Sequence, residues 1–164
     1  MLPSDNDLSL RSICAKDMTT LFKWRNLDEI VSLGSSSRKV TLSEHQAWFN
    51  QRLHDPLFLG YIVEVDNHPI GHVRFDFDSP ESASISLYLV PGQTGKGRGV
   101  FLIKRSCFLA KAAKPSLLTV TACIVSTNIR SIKSFENAGF QLFSCFPSPS
   151  LQSQNLQSYI LVLP

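Results

Sequence analysis

Apolar and polar residues alternate in two periods along this chain. Leu8, Leu10 and Ile13 read as a short first strand. Asp17 then caps a helical run through Leu21, Phe22, Trp24 and Arg25. Gly34 and Ser35 to Ser37 read as a flexible loop. Ser43 is the next N-cap, and Gln46 three residues on completes a capping box. Ala47, Trp48 and Leu53 supply the apolar positions of that helix, which Asp55-Pro56 ends. Phe58 to Val65 and Ile70 to Phe77 are the arms of a hairpin around the tight turn Asp66-Asn67-His68. In the second arm Val73, Phe75 and Phe77 point one way and His72, Arg74 and Asp76 the other.

Ser82 to Val90 sets Ser84, Ser86 and Tyr88 against Ile85, Leu87 and Leu89, the pattern of a half-polar strand. A glycine-rich loop follows, then a helical pattern from Val100 to about Lys114 that Pro115 breaks. Leu117 to Val125 is a strongly apolar strand, Ile129 to Ala138 an amphipathic helix ending at Gly139, and Phe140 to Phe146 a further strand. Pro147 to Gln157 reads as a polar loop and Tyr159 to Leu163 as the last strand. The order is strand, two helices, three strands, glycine loop, helix, strand, helix, two strands. That is a mixed α/β domain. No repeat or linker divides it, so residues 1–164 are expected to form one domain.

Composition narrows the class. The chain is 43% hydrophobic and 18% charged, as an ordinary globular protein is, and no apolar run nears the ~20 residues of a membrane span. The start of the chain carries acids and no apolar block, so a cytoplasmic protein is expected. Cys14, Cys107, Cys123 and Cys145 are far apart and read as small buried apolar residues. No metal is expected from His45, His54, His68 and His72.

The net charge of +3 is too small to argue for nucleic acid, but its distribution is uneven. Residues 1–81 hold 8 Lys/Arg against 12 Asp/Glu, whereas residues 82–135 hold 8 Lys/Arg and no acid. A stretch of that length without a carboxylate implies a positive field and an anionic partner.

Gly95, Gly97 and Gly99 lie inside that stretch, between a strand and a helix. Glycines there let backbone N–H groups approach an anion at a helix N-terminus, where the dipole also favours negative charge. Gly92 and Gly97 have Walker spacing, but Arg98-Gly99 stands where Lys-Ser/Thr is required. The dinucleotide fingerprint fails too, because Val100 follows Gly99. What remains is a pyrophosphate-binding turn flanked by Lys96 and Arg98.

These residues resemble the GNAT superfamily of acetyl-CoA-dependent N-acetyltransferases. Ser84 to Val90, the loop Gln93 to Gly99 and the helix from Val100 resemble its acetyl-CoA motif. Asn128 to Phe140 resembles its Asn-x-x-Ser-x-x-x-(Phe/Tyr)-x-x-x-Gly-Phe segment. The resemblance implies a single GNAT-like domain. Its mixed, mostly antiparallel sheet would have about seven strands and about four flanking helices. Acetyl-CoA would be the co-substrate, held by Leu89, Val90, Thr94, Gly95, Lys96, Gly97, Arg98, Gly99 and Val100, with Asn128, Ser131 and Phe135 beside the pantetheine arm. Thr94 stands where the family often has Arg or Gln, leaving Gln93 or backbone amides for that contact.

The resemblance implies direct attack of an amine on the thioester in a ternary complex. The amine must first lose a proton. His45, His72, Asp76 and Glu81 are candidate bases, and the two histidines titrate in the useful range if unperturbed. The tyrosine that many members use to protonate the thiolate corresponds to Phe135, which leaves Ser134, a water or Tyr88 for that role. A backbone N–H near Leu89 or Val90 would meet the developing oxyanion.

Lys23-Trp24-Arg25-Asn26, Ser43 to Phe49, Tyr61 to Glu64 and Pro69 to Asp76 resemble the branch of nucleotide-linked amino-sugar acetyltransferases, including those of pseudaminic- and legionaminic-acid synthesis. They resemble ribosomal-protein N-terminal acetyltransferases less closely. Trp24, Arg25, Trp48 and Arg74 suit a sugar face and a diphosphate. Both tryptophans equally suit core anchors. The acceptor expected is a small-molecule amine, foremost on a nucleotide sugar. The alternatives are a protein N-terminal amine, or a CoA-binding regulatory domain without turnover. The apolar C-terminal strands offer edges for pairing into a homodimer.

Overall fold

The computed structural model describes residues 8–34, 38–147 and 155–164. The serine loop at 35–37 and most of the polar loop at 147–157 lie outside them. Seven strands form one sheet: β1 (Leu8–Ser12), β2 (Phe58–Val65), β3 (His68–Ser79), β4 (Ser82–Leu89), β5 (Thr119–Val125), β6 (Gln141–Pro147) and β7 (Asn155–Val162). Their spatial order is β1-β2-β3-β4-β5-β7-β6. Every neighbouring pair is antiparallel except β4 and β5. Five α-helices accompany the sheet: α1 (Met18–Arg25), α2 (Asp28–Leu33), α3 (Leu42–Leu53), α4 (Arg98–Ala113) and α5 (Ile129–Asn137).

The single mixed sheet matches the reading of the sequence. The departures are local. Helix α2 was not expected, because six residues with no buried side chain leave no apolar stripe to read. Asp17 does not cap α1. It closes a 3-10 turn at Ala15–Asp17, and its carboxylate takes two 2.8 Å bonds from Arg11 and one of 2.9 Å from the Cys14 amide. Burial pushes that carboxyl up, but these hydrogen bonds outweigh burial and hold it below its ordinary value. Helix α3 starts two residues earlier than expected, on a Thr41–Glu44 capping box instead of Ser43–Gln46. Its inner face is His45, Trp48, Phe49 and Leu53, while Ala47 is exposed. Strand β7 begins at Asn155, so Asn155 to Ser158 are sheet and not loop. Cys107 is buried as expected, but Cys123 and Cys145 are exposed.

The hairpin turn is the two residues Asp66 and Asn67, both with positive φ, as a type I′ turn requires. The period of two along β2 and β3 divides the interior. Tyr61, Val63, Val73, Phe75 and Phe77 join Leu102, Ile103, Ile132, Phe135 and Phe140 in the main core, between the sheet and α4/α5. Ile62 faces the other way and packs with Leu21 and Phe49 beneath α1 and α3. His72 and Arg74 share that second face. Among the described residues no helix is long and apolar enough to cross a membrane.

Candidate active site

Strands β4 and β5 pair only at Ser82–Ser84 against Thr119–Thr121. Beyond Ser84 the two strands are not paired, so the rest of β4 borders an open gap. On its other side β4 stays paired to β3 as far as Gly71–Leu89. The Val90 amide donates to the Ile70 carbonyl at 2.9 Å. Antiparallel ladders alternate, so the Leu89 amide turns away from β3 and into the gap. Of the two oxyanion donors expected, Leu89 is available and Val90 is already engaged.

At the mouth of this gap lies the glycine loop. Gly95 and Gly97 have φ of +76° and +74°, and a Cβ on either would meet nothing within 4 Å. Their constraint is backbone conformation and open space for a ligand, not protein packing. Gly97 is the N-cap of α4 and has no side chain to cap it, so the first amides of a sixteen-residue helix lack that partner. Gly99 has a different reason. A Cβ there would sit 2.8 Å from Ser134 Oγ, so this glycine lets α4 and α5 touch. Gln93 Oε1 accepts from Arg98 Nη1 at 2.7 Å and from Lys96 Nζ at 3.4 Å, holding both cations beside the loop. Thr94 and Lys96 are exposed, and Arg98 and Val100 are partly buried. None of the eight cations between residues 82 and 135 pairs with a carboxylate among the described residues. Open left-handed amides, an uncapped helix end and unneutralised cations fit the diphosphate of coenzyme A.

On α5, Asn128 Oδ1 accepts from the Ser131 amide at 3.2 Å and caps the helix. The Ser134 hydroxyl donates to the Arg130 carbonyl at 3.0 Å. Phe135 is buried against Phe140, with ring centroids 4.9 Å apart in an edge-on arrangement. It is a packing residue of the main core.

Across β3 and β4 from that core is a cavity of about 430 Å³. It is lined by Leu21 and Arg25 of α1, Arg38, Val40, Glu44, His45 and Trp48 of the α3 region, His72 and Arg74 of β3, and Tyr88 of β4. The register sets His72 opposite Tyr88, and Tyr88 stands one residue from the Leu89 amide. His45, His72, Tyr88, Arg25, Trp48 and Arg74 thus meet at one place, although they come from four elements. Trp24 does not line the cavity. It meets Tyr88 edge-on and packs with the second core. Arg38 and Glu44 were missed by the sequence reading, since only the fold brings the α2–α3 connection over the sheet.

Burial resets the titrations. His72 is 4% exposed, and loss of water, reinforced by the Arg74 charge, pushes its pKa down to about 3. Its Nε2 is sealed from solvent without a hydrogen-bond partner. His45 is also held below its ordinary value, first by burial and then by Arg25, although its Nε2 bonds the Met18 carbonyl at 3.0 Å. Both histidines are neutral at pH 7, outside the range expected for them. Burial pushes Tyr88 up, so its hydroxyl keeps its proton.

A sheet split beside a phosphate-binding turn, with a polar cavity at the split, defines a CoA-dependent acyltransferase class. The sequence profile of the Acetyltransferase (GNAT) domain matches residues 7–141. The chain belongs to the GNAT acetyltransferase family and is an acetyl-CoA-dependent N-acetyltransferase. No curated protein sequence matches it. Among solved structures it is similar to spermidine N-acetyltransferase from Vibrio cholerae in complex with CoA and spermine, at 18% identity and TM-score 0.88 over 96% of each chain. It is also similar to an aminoglycoside acetyltransferase in complex with coenzyme A, at 21% identity and TM-score 0.76 over 94% of each chain.

Proposed function

We propose that the acceptor is a primary amine of a small molecule, specifically of a nucleotide-linked amino sugar. One observation carries this reading: the cavity of about 430 Å³ beside the β4 end of the split. Its volume lies within the ~300–1,000 Å³ usual for small-molecule sites. Trp48 offers a ring for a sugar face, and the Arg74 guanidinium already stacks 5.5 Å from its centroid. Arg25 and Arg74 offer forked donors to a diphosphate.

Acetyl-CoA supplies a thioester whose carbonyl carbon the neutral amine attacks; the C–N bond forms and the C–S bond breaks. Leu89 N–H stabilises the oxygen of that carbonyl. His72 and His45 are neutral and offer lone pairs, not charges, to the incoming N–H groups. Tyr88 is the best placed proton donor for the leaving thiolate, because no protein hydrogen bond occupies its hydroxyl among the described residues. Ser134 spends its proton on Arg130.

Release of free CoA thiol, followed over a panel of amines, tests the reading. Turnover of a UDP-linked amino sugar upholds it. Turnover of N-terminal peptides alone replaces the acceptor with a protein amine. Tight CoA binding without any turnover makes the chain a regulatory CoA-binding domain. Gly97→Glu should abolish CoA binding by calorimetry while the far-UV spectrum is kept.

A further inference from the structure

We infer that the acceptor cavity is a charge filter: Arg25, Arg38 and Arg74 together hold a fixed negative charge carried by the acceptor, and the site turns away amines with additional positive charges. This deepens the proposed function and rests on its placement of the acceptor in this cavity.

Three guanidinium groups and one carboxylate line the cavity. That carboxylate is Glu44, and its oxygens are committed. They accept from Arg38 at 3.0 and 3.3 Å and from the Thr41 amide at 2.7 Å. Asp76, 3.2 Å from Arg74, is shared with Arg52 at 3.5 Å and is not a lining residue. The other titratable groups facing the cavity are His45, His72 and Tyr88. The lining therefore carries two net positive charges, or one when Asp76, paired to Arg74, is counted with it. Burial and the charges of Arg74 and Arg38 both hold Arg25 below its ordinary value, the mark of cations crowded into one space. One nitrogen sealed from water, His72 Nε2, has no hydrogen-bond partner, whereas Arg74 Nε faces Asp76 Oδ2 at 3.2 Å. A sealed, unpartnered nitrogen marks a polar position that the protein itself leaves unused.

An amine tethered to a phosphate or carboxylate brings the missing anion with it. Charge-assisted, bidentate contacts with arginine then position its nitrogen at the Tyr88 end of the cavity. Spermine, the molecule in the Vibrio cholerae structure, is a polycation at neutral pH. In the present cavity its surplus ammonium groups would meet guanidiniums, with no uncommitted carboxylate among the described lining residues to receive them. Two enzymes of closely similar fold would then differ in acceptor through the sign of this wall.

The experiment compares kcat/KM for glucosamine, glucosamine 1-phosphate, a UDP-linked amino sugar and spermidine, with acetyl-CoA saturating. The phosphorylated amines should exceed glucosamine by roughly 10- to 100-fold, the size of hydrogen bonds to charged groups, and spermidine should be worst. Inorganic pyrophosphate should inhibit competitively against the acceptor; competition against acetyl-CoA alone would place its binding at the glycine loop and overturn the inference. Arg38 is exposed, so Arg38→Glu should fold, and it should narrow the anion preference where Arg38→Lys keeps it. Spermidine as the preferred acceptor, or an Arg38→Glu ratio equal to wild type, would also overturn it. If no amine turns over, the proposed acceptors fail by themselves. The inference then stands if calorimetry shows pyrophosphate binding to acetyl-CoA-loaded enzyme that Arg74→Gln abolishes. It falls if no such binding is seen.

Discussion

His72 stays neutral in the fold down to about pH 3, because burial strips its imidazolium of water and Arg74 repels it. An unfolded histidine titrates near ~6.5. Between those values the unfolded state binds a proton that the native state refuses, so stability falls as pH falls. The slope is about 1.4 kcal/mol per pH unit, or about 2 kcal/mol from pH 6.5 to 5. His45 shifts in the same direction and adds to the loss. The carboxylates of Asp17 and Glu44, both held below their ordinary values, enter only below about pH 4. Thermal melts should therefore drop between pH 6.5 and 5, and His72→Asn should flatten much of that drop. Phe135 gives a second residue-scale expectation. A hydroxyl added there by Phe135→Tyr enters the main core without a partner and should cost about 1–3 kcal/mol in denaturant unfolding. Tyr88→Phe should lower kcat on the order of 10²-fold with little change in unfolding free energy, as loss of a proton donor predicts.

At the scale of elements, Gly97 and Gly99 of the loop should separate by assay. Gly97→Ala demands a left-handed alanine, costing about 1–2 kcal/mol, in open space where the ligand binds. The larger effect should be on acetyl-CoA affinity. Gly99→Val instead drives a side chain into Ser134 and pries α4 from α5, so unfolding free energy should fall by about 1–3 kcal/mol. The motif that marks the loop in the sequence does not reveal this division, because φ and helix contact are properties of the folded backbone. The α3 cap has the same lesson. Ser43 and Gln46 satisfy the capping pattern on paper, but Thr41 and Glu44 satisfy it in space. The Arg38–Glu44 ion pair, at 3.0 Å, braces the earlier start. Both boxes obey the local rule, and contacts outside the helix chose between them.

Over the whole molecule, charge is segregated along the chain and in space. The eight cations of residues 82–135 are without carboxylate pairs among the described residues, whereas Arg11, Arg38, Lys39, Arg52 and Arg74 of the first half all have them. Acetyl-CoA affinity should accordingly weaken as salt rises from 0.1 to 1 M, where the screening length shrinks from ~10 to ~3 Å. A titration of KM for acetyl-CoA against salt at fixed pH reads this directly. Stability should respond much less, since five of the seven ion pairs among the described residues are partly buried and so weakly screened.

Strand periodicity, the glycine turn and the acid-free stretch were legible because each is a local property: side-chain alternation, backbone freedom and charge density are written in consecutive residues. The hairpin and the family followed from them. The acceptor wall was only half legible. His45, His72, Arg25, Trp48 and Arg74 stood out as residue types, but Trp24 turned to the core, and Arg38 and Glu44 gave no signal. Their neighbours lie far off in sequence, and the depressed titration of His72 needs a burial that no short window can display. Local chemistry settled which cofactor half this chain carries; sheet register and helix docking decided which side chains share the other half, because proximity there is made by packing and not by the order of residues.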